Sequence, residues 1–232
     1  MDGQDLATYF ARMAQQLSGV RSVEDTLKLL VTTAVELIDG CDHASISYLD
    51  QKVLRSASSN DDIGPTLDAL QTETQEGPCM DTIRDGGLLV TGDLRSDERW
   101  PEYGPRAAAA TGVVSSMGVE LLHGGRRVGA LNLFAERPDA FAPDGQRDAI
   151  IALLASHAGP ALAAALARED FERALASRDL IGQAKGILMA RSGVDADAAY
   201  EMLSSASQRM NVKLVEVAQR LVDGTLTDPP QD

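Results

Sequence analysis

Apolar residues recur along the chain at two periods, and the periods divide it. Val23, Leu27, Leu30, Val31, Ala34, Val35 and Ile38 fall on one helical face. Ser22 or Asp25 is placed to cap that helix and Gly40 to stop it. Upstream, Leu6, Phe10, Met13 and Leu17 form the stripe of a first helix, suited to core packing or to a dimer contact. Residues 43–49 and 53–58 read as strands around a turn at Asp50-Gln51-Lys52. Residues 63–74 predict a short helix with Leu67 and Leu70 inward. Pro78 suits the first position of a helix running towards Arg84 and closed by Gly86-Gly87. Leu88-Leu89-Val90 is an apolar strand, and the Ala-rich stretch 100–110 a helix. Residues 113–122 and 128–135 are strands joined by a glycine hairpin at 123–126.

From Pro143 the pattern turns helical and stays so. Ile150, Leu154, Ala161, Ala164, Phe171 and Leu175 approximate a heptad seam, with His157, Arg168 and Arg178 also at seam positions. Pro160 removes a backbone donor and predicts a kink. Ser192-Gly193 ends this helix, and Asp195 caps the next, whose stripe is Ala199, Leu203, Ala206 and Met210. Asn211 is placed to cap a last helix with Leu214, Val217, Ala218, Leu221 and Val222 inward. The whole predicts an α+β protein: an antiparallel sheet with packed helices, a long connecting helix and a C-terminal three-helix unit. Residues 228–232 read as a frayed tail.

Charge sharpens this division. The net charge of −14 argues against indiscriminate nucleic-acid binding. Residues 1–167 hold 13 basic and 24 acidic side chains, but residues 168–224 hold 8 and 9. The C-terminal part is therefore close to neutral, and any RNA contact there relies on a local patch. No uninterrupted run of 18 apolar residues occurs, so no membrane span is expected. The start Met1-Asp2-Gly3-Gln4-Asp5 does not read as a secretory signal, and a cytoplasmic location is expected.

The chemistry of catalysis is thin. His43, His123 and His157 are dispersed and suggest no metal site, and no phosphate-cradling glycine loop appears. Cys41 and Cys79 match no metal spacing and are expected reduced. Cys79, near a helix N-terminus, suits a thiol of lowered pKa, but as a nucleophile it has only distant histidines for a base. Trp100 and Tyr103, with Cys79, are the candidates to line a small-molecule pocket. The chain is expected to be no enzyme and to carry no cofactor.

The most informative run is Ser177 through Met189. Arg178 and Lys185 lie seven apart, about 20° from each other on a helix. Gly182 and Gly186 each cost roughly 1 kcal/mol against Ala inside a helix. They suggest a close approach by another helix or a ligand. Ser177-Arg178, Ile181-Gly182-Gln183-Ala184-Lys185-Gly186-Ile187-Leu188-Met189, Arg191, Ala198-Ala199-Tyr200, Leu203 and Asn211-Val212-Lys213-Leu214 together resemble the ANTAR domain. That is the RNA-binding output domain of bacterial transcription antiterminators.

Glu76-Gly77-Pro78-Cys79, Leu88-Leu89-Val90-Thr91-Gly92-Asp93-Leu94 and Gly129-Ala130-Leu131-Asn132-Leu133-Phe134 resemble a GAF domain of the kind fused to ANTAR domains. The Asn-Lys-Phe-Asp type motif of cyclic-nucleotide-binding members is absent. The resemblances imply a GAF-like sensor over 1–162, a helical connector over 163–176, an ANTAR output over 177–224 and a tail over 225–232. They imply a homodimer that binds tandem hairpins in nascent mRNA and prevents terminator formation. Arg178, Lys185, Arg191, Arg209 and Lys213 would contact phosphates, with Gln183 and Asn211 on loop bases. The competing reading is a ligand- or redox-sensing dimer acting on a protein partner without RNA. A weaker one is an enzyme of the methionine-sulfoxide reductase type, for which two cysteines 38 apart supply no evident resolving pair.

Overall fold

The computed structural model describes residues 22–225. The expected first helix over residues 6–17 and the tail over 228–232 lie outside them. The described residues form two compact units, divided between Leu166 and Ala167.

The first unit is built on a five-stranded antiparallel sheet in the order β2-β1-β5-β4-β3. Its strands are β1 (His43–Asp50), β2 (Val53–Ser59), β3 (Leu88–Thr91), β4 (Ser115–His123) and β5 (Arg126–Ala135). Alternation sorts each strand between two faces. Ala44 and Ile46 from β1, Met117 and Val119 from β4, and Leu131 and Leu133 from β5 belong to one buried core. Helix α1 (Val23–Leu37) adds Leu27, Leu30, Val31 and Ala34 to it. Ser22 caps α1, accepting from the Asp25 amide at 3.0 Å.

The alternate positions on the same strands include Ser45, Ser47, Ser116 and Asn132, all buried and polar, beside the apolar Ala130 and Phe134. The helices on that side are α2 (Ile63–Thr74), α3 (Pro78–Asp85) and α4 (Tyr103–Thr111). Trp100 stands ahead of α4 rather than in it, and is buried with Tyr103, Leu94 and Phe134. On α2 the buried positions are Gly64, Leu67, Asp68 and Gln71. The expected inward Leu70 is only half-buried, and two polar side chains share the buried stripe.

Helix α5 runs without interruption from Gly145 to Ser192, so Pro160 does not end it. Ile150, Ile151, Leu154, Ala158 and Leu162 are buried in the first core. Ile150 and Leu154 therefore pack within their own unit and cannot open an intermolecular seam, a correction to the expected heptad. Gly159 is required here: a Cβ would stand 2.2 Å from the Leu122 carbonyl oxygen. One 18-residue window of α5 has a mean hydropathy of 1.8, long and apolar enough by composition to cross a membrane. A third of it is buried inside the protein. A core helix rich in Ala, Leu and Ile passes that test without a membrane.

The second unit packs the C-terminal part of α5 with α6 (Ala196–Met210) and α7 (Leu214–Val222). Its core is Ala184, Leu188, Ala199, Leu203, Ala206, Val217, Ala218 and Leu221. Met210, placed inward by the sequence pattern, is exposed. Gly193 ends α5 at a positive φ, and Asp195 caps α6 by accepting from the amides of Asp197 and Ala198.

Candidate functional site

The helices of the second unit present the candidate RNA-contacting residues at its surface. Arg178, Gln183 and Arg191 stand exposed on α5, Arg209 on α6, and Asn211 and Lys213 between α6 and α7. Among the described residues the side chains of Arg178, Arg191 and Lys213 enter no hydrogen bond or ion pair. Other cations of this unit are neutralised: Arg168 by Glu172, Arg173 by Glu169 and Asp170, and Arg220 by Glu216. Lys185 is half-buried, its Nζ 5.9 Å from the centre of the Tyr200 ring. That is within cation–π range.

Asn211 corrects the sequence expectation. It closes α6 in the left-handed conformation, φ 52°, its amide donating to the Gln208 and Ser207 carbonyls. The N-cap of α7 is Lys213, with no side-chain cap. Asn tolerates the left-handed region that ends a helix, which decides its role here. The Asn211 side chain stays exposed. Gly182 and Gly186 are also exposed, and a Cβ at either meets nothing within 4 Å. Among the described residues the expected close approach is not made.

In the first unit the polar face of the sheet gathers one connected group. Ser47 donates to Asp68 Oδ2 at 2.6 Å. Asn132 Nδ2 donates to Ser45 and Ser47, each at 3.2 Å. Gln71 Oε1 accepts from the amides of Cys79 and Met80, serving the start of α3 where Gly77 has no side chain to do so. Asp68 Oδ1, Gln71 Nε2 and the Tyr103 hydroxyl are buried with no hydrogen-bond partner among the described residues. Burial pushes the Asp68 carboxyl up to about 7, against the lowering bond from Ser47. Asp68 also borders a groove of about 510 Å³ that includes Tyr48, Arg55, Ser56, Pro65 and Thr72.

Burial raises the Cys79 thiol well above its ordinary range, and the nearby Asp68 raises it further. The lowered pKa expected from the helix N-terminus is overturned, because desolvation outweighs a partial dipole charge. Cys41 is pushed up to about 12 by the same cause. The Tyr103 hydroxyl is raised by burial, with Asp68 and Cys79 adding to it. Cys79 and Tyr103 thus share surroundings with Asp68. Trp100 is turned to a structural task, its Nε1 donating to Asp81 at 2.7 Å. Among the described residues no group of three His, Cys, Asp or Glu side chains is placed to hold a metal ion.

Sequence reading missed Asp68 and Gln71, and it named Tyr200 only within the ANTAR resemblance, with no site role. The available signal for the first two was spacing: 64, 67, 68 and 71 form one helical stripe. Ser45 and Ser47, alternating with apolar neighbours on β1, pointed to a polar partner opposite.

The GAF domain family matches residues 20–163 and the ANTAR domain family residues 169–222. The chain belongs to the GAF domain family and has a GAF–ANTAR architecture. Similar solved structures agree on the fold of the first unit. The GAF domain of a phosphoenolpyruvate-protein phosphotransferase from Coxiella burnetii is 14% identical with a TM-score of 0.57, covering 73% of this chain and 99% of that one. The GAF domain of the Acinetobacter phosphoenolpyruvate-protein phosphotransferase is 18% identical with a TM-score of 0.54, covering 72% and 97%. A domain of a sensor histidine kinase protein from Sinorhizobium meliloti 1021 is 13% identical at 0.50, covering 66% and 98%. No curated protein matches the chain. GAF domains are sensor domains and ANTAR domains are antitermination outputs, so this GAF–ANTAR chain is built as a signal-responsive regulator.

Proposed function

We propose that this protein is a cytoplasmic, non-enzymatic regulator that binds tandem hairpins in nascent mRNA as a homodimer and prevents terminator formation. A sensor over 1–162 acts through a connector over 163–176 on an output over 177–224, followed by a tail over 225–232. The observation that carries the reading is the set of uncommitted cations on the ANTAR unit. Among the described residues Arg178, Arg191 and Lys213 are exposed without ion pairs, while Arg168, Arg173 and Arg220 are paired. Arg178, Lys185, Arg191, Arg209 and Lys213 take phosphates, and Gln183 and Asn211 take loop bases.

Phe171 and Leu175, 64% and 44% exposed one helical turn apart, support a homodimer contact along α5. The input is a small polar ligand read at the Asp68 group, where three buried polar atoms have no hydrogen-bond partner among the described residues. The burial of Cys41 and Cys79 and their raised thiol pKa values favour a non-enzymatic sensor.

The test is an anisotropy titration against a tandem-hairpin RNA and a loop-scrambled control at two salt concentrations. The reading requires tighter binding to the intact loops, weakening as salt rises. Equal, negligible binding to both supports the second reading, a GAF sensor acting on a protein partner. The near balance of 8 basic and 9 acidic residues over 168–224 favours that alternative.

A further inference from the structure

Tyr200 is 46% exposed on α6 and is outside the apolar core of its unit. A single exposed tyrosine is ordinary. This one is not alone: the Lys185 ammonium lies over its ring at 5.9 Å. Gly182 precedes Lys185 by three residues and so neighbours it on α5, and Gly186 lies one turn beyond Gly182, so the face beside Lys185 carries no side chain at two positions. Neither glycine has a positive φ, and a Cβ at either meets nothing within 4 Å. Packing among the described residues therefore gives no reason for two residues that weaken the helix.

We propose that Tyr200, with Lys185 against its ring, is the stacking platform for an unpaired base of the RNA loop, and that Gly182 and Gly186 leave room for that nucleotide against α5. An aromatic face accepts a base by stacking, and an adjacent ammonium meets the phosphate that follows it. A helix bared at two glycines admits a ribose or base edge closer than any side chain would allow. Arg178, seven residues before Lys185 and without an ion pair among the described residues, continues the positive surface along the strand's path. The inference rests on the RNA reading and adds which residues receive a base.

The experiment titrates the full-length protein with the tandem-hairpin RNA, and with versions carrying one abasic site at each loop position in turn. Tyr200→Ala should weaken binding roughly five- to hundredfold, while Tyr200→Phe keeps it. One abasic position should cost the wild type affinity and cost Tyr200→Ala nothing further. Gly182→Ala and Gly186→Ala should raise the melting temperature, because the added methyl meets open space, yet weaken RNA binding about tenfold. A purely structural role cannot produce opposite signs. If Tyr200→Ala binds as tightly as the wild type, the stacking assignment is wrong while RNA binding stands. If the glycine variants alter sedimentation and leave RNA affinity unchanged, that face meets a second copy and the proposal is overturned. A wild type that ignores the RNA removes both the antitermination reading and this one.

Discussion

Ser47 on β1 donates its hydroxyl proton to Asp68 on α2 across 2.6 Å, in a part of the sensor unit where both residues are buried. One short bond does not repay the desolvation of a carboxylate, so the Asp68 carboxyl stays raised, at about 7. The folded state holds a proton there that the unfolded chain releases near pH 4. Between those values the native state binds more protons, so stability falls as pH rises from about 4 to about 7 and is level above that.

Asp68→Asn should flatten this slope. The amide oxygen still accepts from Ser47, and no charge needs burying. Denaturant unfolding across pH 4–8 checks it: the variant gains on the wild type as pH rises, by at most about 4 kcal/mol at pH 8. Parallel pH profiles would show that Asp68 ionises freely in the native state.

Cys79 should be inert. Its thiol is fully buried and raised well above the ordinary range, so little thiolate exists at neutral pH. A maleimide or disulfide reagent should leave both Cys79 and Cys41 unmodified in native protein and modify both in denaturant. Rapid native labelling of Cys79 would revive a redox input.

Trp100→Phe separates packing from ligand contact. It removes the bond to Asp81 Oδ2 and trims one of the largest buried side chains. A drop of about 2–4 kcal/mol in unfolding free energy is expected, with RNA affinity unchanged when measured on folded protein. A stable variant would mean that Asp81 finds another donor and that Trp100 carries no structural load.

The sequence made most of the fold legible because period and punctuation agreed: Ser22, Pro78, Gly193 and Asp195 stand where the helices begin and end. It did not reveal the Asp68 group. A lone carboxylate beside Leu67 reads as a solvent-facing residue until the register of β1 brings Ser47 opposite. Asn211 was ambiguous for a local reason, since Asn suits both an N-cap and a left-handed helix end. The seam on α5 failed at Ile150 and Leu154 because one helix serves the sheet first and is exposed later, with no change of period between.

The uncommitted cations give the last prediction. Arg178→Ala with Arg191→Ala removes two exposed charges that hold no partner among the described residues, so stability should move by less than about 0.5 kcal/mol. If both meet phosphates, affinity for the tandem-hairpin RNA falls, and it falls most at low salt. The slope of log affinity against log salt should shrink by about 1.4, at roughly 0.7 for each single-stranded phosphate that an arginine no longer neutralises. Arg220→Ala removes a cation already paired with Glu216 and should leave that slope unchanged. Equal slopes for the wild type and the double variant would make Arg178 and Arg191 a solvated edge, and would move the RNA interface to Lys185, Arg209 and Lys213.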